Sequence, residues 1–138
     1  MITYPQTTGH ITQEGYVIAS GYSGHKAGLF NPVMQSVHDV GPIPRGNYTL
    51  RQIRDPEEIK RLKLGPVVYY CEPEGTDWGG GVGTYWTATM PWMFGRNAFY
   101  IHWDNVQCNY TASHGCIVLL AAWMFYRVMD GEKLVVVE

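Results

Sequence analysis

The chain has 138 residues, 46% hydrophobic and 16% charged, with ten Lys and Arg against twelve Asp and Glu for a net charge of −2. That length suits one domain spanning residues 1–138, and the apolar content supports a packed core and excludes a disordered chain. The absence of a basic stripe argues against nucleic acid as a partner, and no run approaches the ~18 apolar residues of a membrane span.

Met1-Ile2-Thr3-Tyr4-Pro5-Gln6 has neither the basic nor the apolar segment of a secretory signal. The expectation is synthesis in the cytoplasm, with export by some other device if the protein works outside. Ile2-Thr3-Tyr4 and His10-Ile11-Thr12 read as short strands around Thr8-Gly9, and residues 16–20 read as a third. Residues 21–31, rich in Gly and polar side chains, read as a loop. Gly41-Pro42-Ile43-Pro44-Arg45-Gly46 reads as a rigid turn, because two prolines fix φ between permissive glycines. Residues 47–53 alternate as a strand should. Asp55 then caps a short helix with Pro56 at its first position. Glu57 and Glu58 face its positive end, Lys60, Arg61 and Lys63 lie towards the other end, and Gly65 is the expected left-handed cap. Residues 67–71 read as a buried strand, and residues 74–91 as a loop with Trp78, Tyr85 and Trp86. Residues 99–103 and 117–119 read as further strands, 121–129 as a helix and 134–137 as the closing strand. The fold class is therefore mainly β, a β-rich α+β domain with one or two short helices.

Cys71, Cys108 and Cys116 are the three cysteines, and their odd number leaves at least one thiol free in a monomer. Cys71 sits in a strand-like run and reads as an inert core residue, although a Cys71–Cys108 disulfide is compatible with the sequence. The chemistry concentrates in Ser113-His114-Gly115-Cys116, fourteen positions after the strand-borne His102. A thiol needs a base or a positive environment to become a nucleophile, and an imidazole titrates in the right range to serve. Gly115 permits close backbone approach, and successive N–H groups in such a turn can hold an oxyanion. Two other readings stay open on the residues alone. One is a buried Cys beside two structural histidines. The other is a zinc site from His102, Cys108, His114 and Cys116, whose spacings match no common finger.

Several stretches in the same order resemble the L,D-transpeptidase-like effectors of type VI secretion systems. They are Tyr4-Pro5-Gln6-Thr7-Thr8-Gly9, Gly21-Tyr22-Ser23-Gly24, residues 41–48, Met93-Phe94-Gly95-Arg96, Phe99-Tyr100-Ile101-His102 with Asp104-Asn105, and residues 112–118. The resemblance implies a β-sandwich or mixed sheet, with Cys116 as nucleophile and His102 as general base. Ser113, His114 and Gly115 would then shape the site, and Trp103 or Asp104 would orient the His through main chain or side chain. It also suggests Arg96 as an anchor for a substrate carboxylate, against the alternative of a loop clamp, with Tyr22 and Ser23 lining the cleft. The implied substrates are peptidoglycan stem peptides, acted on in the periplasm of target bacteria after export by a secretion system. A secretion-system spike or carrier and a periplasmic immunity protein would be partners. No metal or organic cofactor is implied. Trp103 stands where such sequences are expected to carry Gly, and residues 75–92 are longer and more aromatic than expected. A phage-encoded wall-modifying enzyme and a non-catalytic wall-binding module are the competing readings.

Overall fold

A computed structural model describes residues 1–75, 90–103, 115–120 and 128–138. Residues 121–127 of the expected helix over 121–129 and most of the aromatic loop fall outside the described residues, and Val128 and Met129 are not helical. Eight strands form the frame: β1 (Ile2–Pro5), β2 (His10–Gln13), β3 (Tyr16–Ser23), β4 (Gly46–Gln52), β5 (Tyr69–Pro73), β6 (Tyr100–Trp103), β7 (Ile117–Leu119) and β8 (Lys133–Val137). One helix, α1 (Pro56–Leu62), lies between β4 and β5. The strands form a closed barrel in the order β1-β2-β3-β7-β6-β5-β4-β8. The mainly β class holds, but the sheet closes on itself rather than splitting into the two layers of a sandwich. Closure runs through the parallel pair of β1 and β8, with Ile2 opposite Leu134 and Pro5 opposite Val137. β6 and β7 form the other parallel pair, and the remaining pairs are antiparallel.

The interior follows from strand alternation, which sends every second side chain inwards. Ile2, Tyr4, Ile11, Leu50, Ile101, Ile117, Leu119, Leu134 and Val136 fill the barrel. β3 runs on to Ser23, three residues beyond the expected end. Gly21 belongs to this strand because a Cβ there would lie 2.7 Å from the Val118 carbonyl oxygen, so only glycine lets β3 pair with β7 at that point. A second cluster sits outside the barrel, where Ile53, Val68, Tyr70 and Tyr100 pack with Ile59 and Leu62 of α1.

The helix starts where its cap residues predict. The Asp55 carboxylate accepts from the Glu57 N–H at 3.1 Å, and Pro56 occupies the first turn. Its end differs, because the left-handed cap is Lys63 at φ 57° rather than Gly65. Replacing Asp55 by Ala should lower stability by about 1 kcal/mol, read as a reduced urea midpoint at unchanged slope.

Candidate active site

The parallel register of β6 and β7 sets Ile101 opposite Ile117, His102 opposite Val118 and Trp103 opposite Leu119. Ile101, Ile117 and Leu119 point into the core. Alternation turns Tyr100, His102 and Val118 to the outer face, and Cys116, one residue before β7, packs there against the Tyr70–Tyr100 cluster. His102 and Cys116 are therefore diagonal neighbours on adjacent strands, a separation of roughly 7–8 Å between backbones that long side chains span. Tyr22, opposite Val118 on β3, completes the row on the same face.

His102 is 3% exposed, and its Nδ1 lies 2.7 Å from the Trp103 carbonyl oxygen. A carbonyl can only accept, so Nδ1 carries a proton, and in the neutral ring the lone pair is on Nε2. Cys116 is half-buried, and burial of its sulfur pushes the thiol up to about 11. Hydrogen bonding from the Tyr100 backbone and the charge of Arg96 act in the opposite direction without reversing the shift. Burial therefore favours the thiol over the thiolate at this position.

The turn that presents Cys116 is held from behind. Gly115 has φ 131°, and a Cβ there would lie 2.6 Å from Arg96 Nη2 and 2.8 Å from the Phe99 ring. Arg96 is 2% exposed. Its Nη1 donates to the Gln35 and Pro42 carbonyls at 2.5 and 2.7 Å, its Nη2 donates to the Gly41 carbonyl at 2.9 Å, and its guanidinium lies 5.0 Å from the centre of the Phe99 ring. Ser23 Oγ donates to the Gly115 carbonyl at 2.8 Å and accepts from the Ile43 N–H at 2.8 Å.

The residues singled out in the sequence thus separate. His102, Gly115 and Cys116 come together, with the Trp103 carbonyl on the imidazole and the rest of Trp103 partly exposed at the end of β6. Arg96 does not stand open as a carboxylate anchor, because its guanidinium is buried among backbone carbonyls and clamps the turn over residues 41–42. Tyr22 and Ser23 are fully buried, so neither lines an open cleft, and Ser23 acts as a bridge. Cys71 is a free, buried thiol rather than a disulfide partner. Ser113, His114, Asp104 and Cys108 lie outside the described residues. The bridging role of Ser23 had no signal in the sequence beyond its place in a shared stretch, since it depends on strands that are far apart along the chain.

The fold and site define a β-barrel domain that presents a thiol and an imidazole from neighbouring parallel strands. The Tlde1 domain family model matches residues 18–136, and the chain belongs to that family, the L,D-transpeptidase effectors of type VI secretion. The family is one of peptidoglycan-modifying proteins secreted to act on the wall of a target cell. No curated protein matches the chain.

Two outcomes test this geometry. Ser23→Ala strips a partner from two buried backbone groups and should cost about 2–3 kcal/mol, measured by denaturant unfolding, while slowing Cys116 alkylation. In the native protein, alkylation of Cys116 by iodoacetamide should rise about tenfold per pH unit across pH 7–10, because the thiolate fraction grows until the pH passes the raised value. A plateau near neutrality would show an ion-paired thiolate instead. Since the folded value lies above the model value of 9.0, this thiol's contribution to stability is complete below about pH 9 and declines as pH rises towards 11.

Proposed function

We propose that the protein is a cysteine-dependent L,D-carboxypeptidase and L,D-transpeptidase that acts on the tetrapeptide stems of peptidoglycan. The supporting observation is the shared outer face of β6 and β7, where His102, oriented by the Trp103 carbonyl, neighbours Cys116. His102 Nε2 takes the thiol proton as Cys116 Sγ attacks the carbonyl carbon between the third stem residue and the terminal D-Ala. Because burial disfavours a free thiolate, the imidazole is needed to take the proton as the sulfur attacks. Backbone N–H groups around Gly115 and Cys116 receive the oxyanion, each worth roughly 3 kcal/mol. The intermediate collapses with cleavage of the C–N bond. His102 returns the proton to the leaving amine, and the third residue remains as a thioester on Cys116.

Water, deprotonated by His102, then releases a tripeptide and regenerates the thiol. A free D-amino acid as acceptor gives exchange, and the amine of another stem gives a cross-link. Trimming and exchange both deprive a competitor of cross-linking donors, the outcome expected of an antibacterial effector. In this reading the protein is carried out by a secretion-system spike, and an immunity protein in the periplasm protects kin.

Incubation of the protein and its Cys116→Ala variant with tetrapeptide-rich sacculi, with and without a D-amino acid, tests the proposal by mass analysis of the muropeptides. Loss of D-Ala by wild type alone establishes the carboxypeptidase, and incorporation of the added D-amino acid establishes exchange. Unchanged muropeptides from a protein whose thiol is reduced would overturn the substrate assignment.

A further inference from the structure

A cavity of about 430 Å³ opens between the start of β4 and the end of β5, lined by Arg45, Gly46, Asn47, Glu74, Gly75 and Trp92. The strand registers place it on the same rim of the barrel as the thiol. Tyr48 lies opposite Pro73, and Tyr70 lies opposite Tyr100 in the antiparallel pair of β5 and β6. The end of β5 therefore shares a rim with the start of β6. β7 runs parallel to β6, so Gly115 and Cys116 stand on that rim as well. Cys116 is level with Tyr70 and Arg51, and Glu74 and Asn47 lie four residues further along β5 and β4, so two or three strand steps and that offset place the cavity about 16–20 Å from the thiol.

Two segments tie the cavity to the nucleophile. Residues 41–44 are held by Arg96 and Ser23, both of which also touch Gly115, and Arg45 to Asn47 follow directly into the cavity wall. From Trp92, also in the wall, the chain reaches Arg96 four residues later. The indole is fixed edge-on against Tyr48, with centroids 5.3 Å apart at 78°. Gly46 packs on the same indole, where a Cβ would meet its ring carbons at 2.3–2.8 Å. The cavity is thus a rigid aromatic wall flanked by a guanidinium, an amide and a carboxylate.

That combination is the chemistry of a sugar site. An indole covers the apolar C–H surface of a pyranose, while Asn, Glu and Arg supply donors and acceptors to hydroxyl and acetamido groups. We propose that this cavity is a saccharide subsite that holds an N-acetylated amino-sugar ring at the root of the stem. The inference rests on the proposed reaction at Cys116. Such a sugar precedes the stem residues that lead to the scissile carbonyl, so its site has to lie along the surface from the thiol rather than at it, as this cavity does.

The test compares two substrates and two surface variants. Wild type, Asn47→Ala and Glu74→Gln are assayed on a disaccharide-tetrapeptide and on the free tetrapeptide. Each variant should lower the ratio of kcat/KM for the glycosylated over the free substrate by roughly tenfold, the size of one lost polar contact. A ratio equal to that of wild type would overturn the subsite. A second arm is independent of turnover: Cys116→Ala is titrated with the peptide-free disaccharide, and the Trp92 indole N–H is followed by NMR. A saturable shift, weakened by the added Asn47→Ala change, supports the site, and its absence overturns it. If wild type cleaves neither substrate, the proposed reaction fails, and the titration still decides the subsite.

Discussion

A guanidinium buried in a protein has to find oxygen acceptors for its donors, because an unsolvated cation is far more costly than the geometry needed to satisfy it. Arg96 meets that demand with the carbonyls of Gln35, Gly41 and Pro42. In doing so it gathers the proline turn, the Phe99 ring and the peptide before Cys116 into one packed unit. Desolvation holds the Arg96 pKa below its ordinary value, but a guanidinium keeps its charge with room to spare. The same cation that organises the turn therefore also opposes, from behind, the upward shift of the thiol. Gly115 is the residue that this arrangement can least replace, since any side chain there would occupy space already taken by the guanidinium and the ring.

The barrel supplies the rest of the geometry through an unusual pair of neighbours. Parallel strands require a long connection between them, and the fourteen-residue interval from His102 to Cys116 provides one. Its consequence is that both groups project from the same face, His102 from within β6 and Cys116 from the clamped turn that leads directly into β7. A main-chain carbonyl then sets the imidazole tautomer. Such an orienting group is insensitive to side-chain replacement at Trp103, provided the backbone keeps its path.

Much of this was legible in local sequence. The strands from β1 to β5 carry alternation and turn residues, and Asp55-Pro56 marks a helix start by its capping chemistry alone. The Cys-His pair was visible because its residue types and the glycine beside them have few other uses together. What was not legible depends on distance along the chain. Nothing within residues 2–5 or 133–137 says that they pair with each other, so the expectation of a β-sandwich or mixed sheet included the mixed pairing but not the closure into a barrel. Gly21 read as loop because the reason for a glycine there is the Val118 carbonyl of another strand. Arg96 read as an anchor because its chemistry suits a carboxylate equally well, and only its burial shows which acceptors it has. Lys63 took the left-handed position expected of Gly65, because the helix ends at Leu62 and the next residue is its cap.

Closure of the barrel by its first and last strands has a bearing on how the molecule comes into being. β8 sits between β1 and β4, so neither rim is complete until residues 133–137 have joined. During synthesis β8 emerges after the seven strands it has to close, and contacts so distant along the chain form slowly. Until then β1 and β4 each keep an unpaired edge, and the site acquires its final shape only once β8 has joined them. Maturation of the thiol-bearing turn is in this sense coupled to the zipping of a single seam.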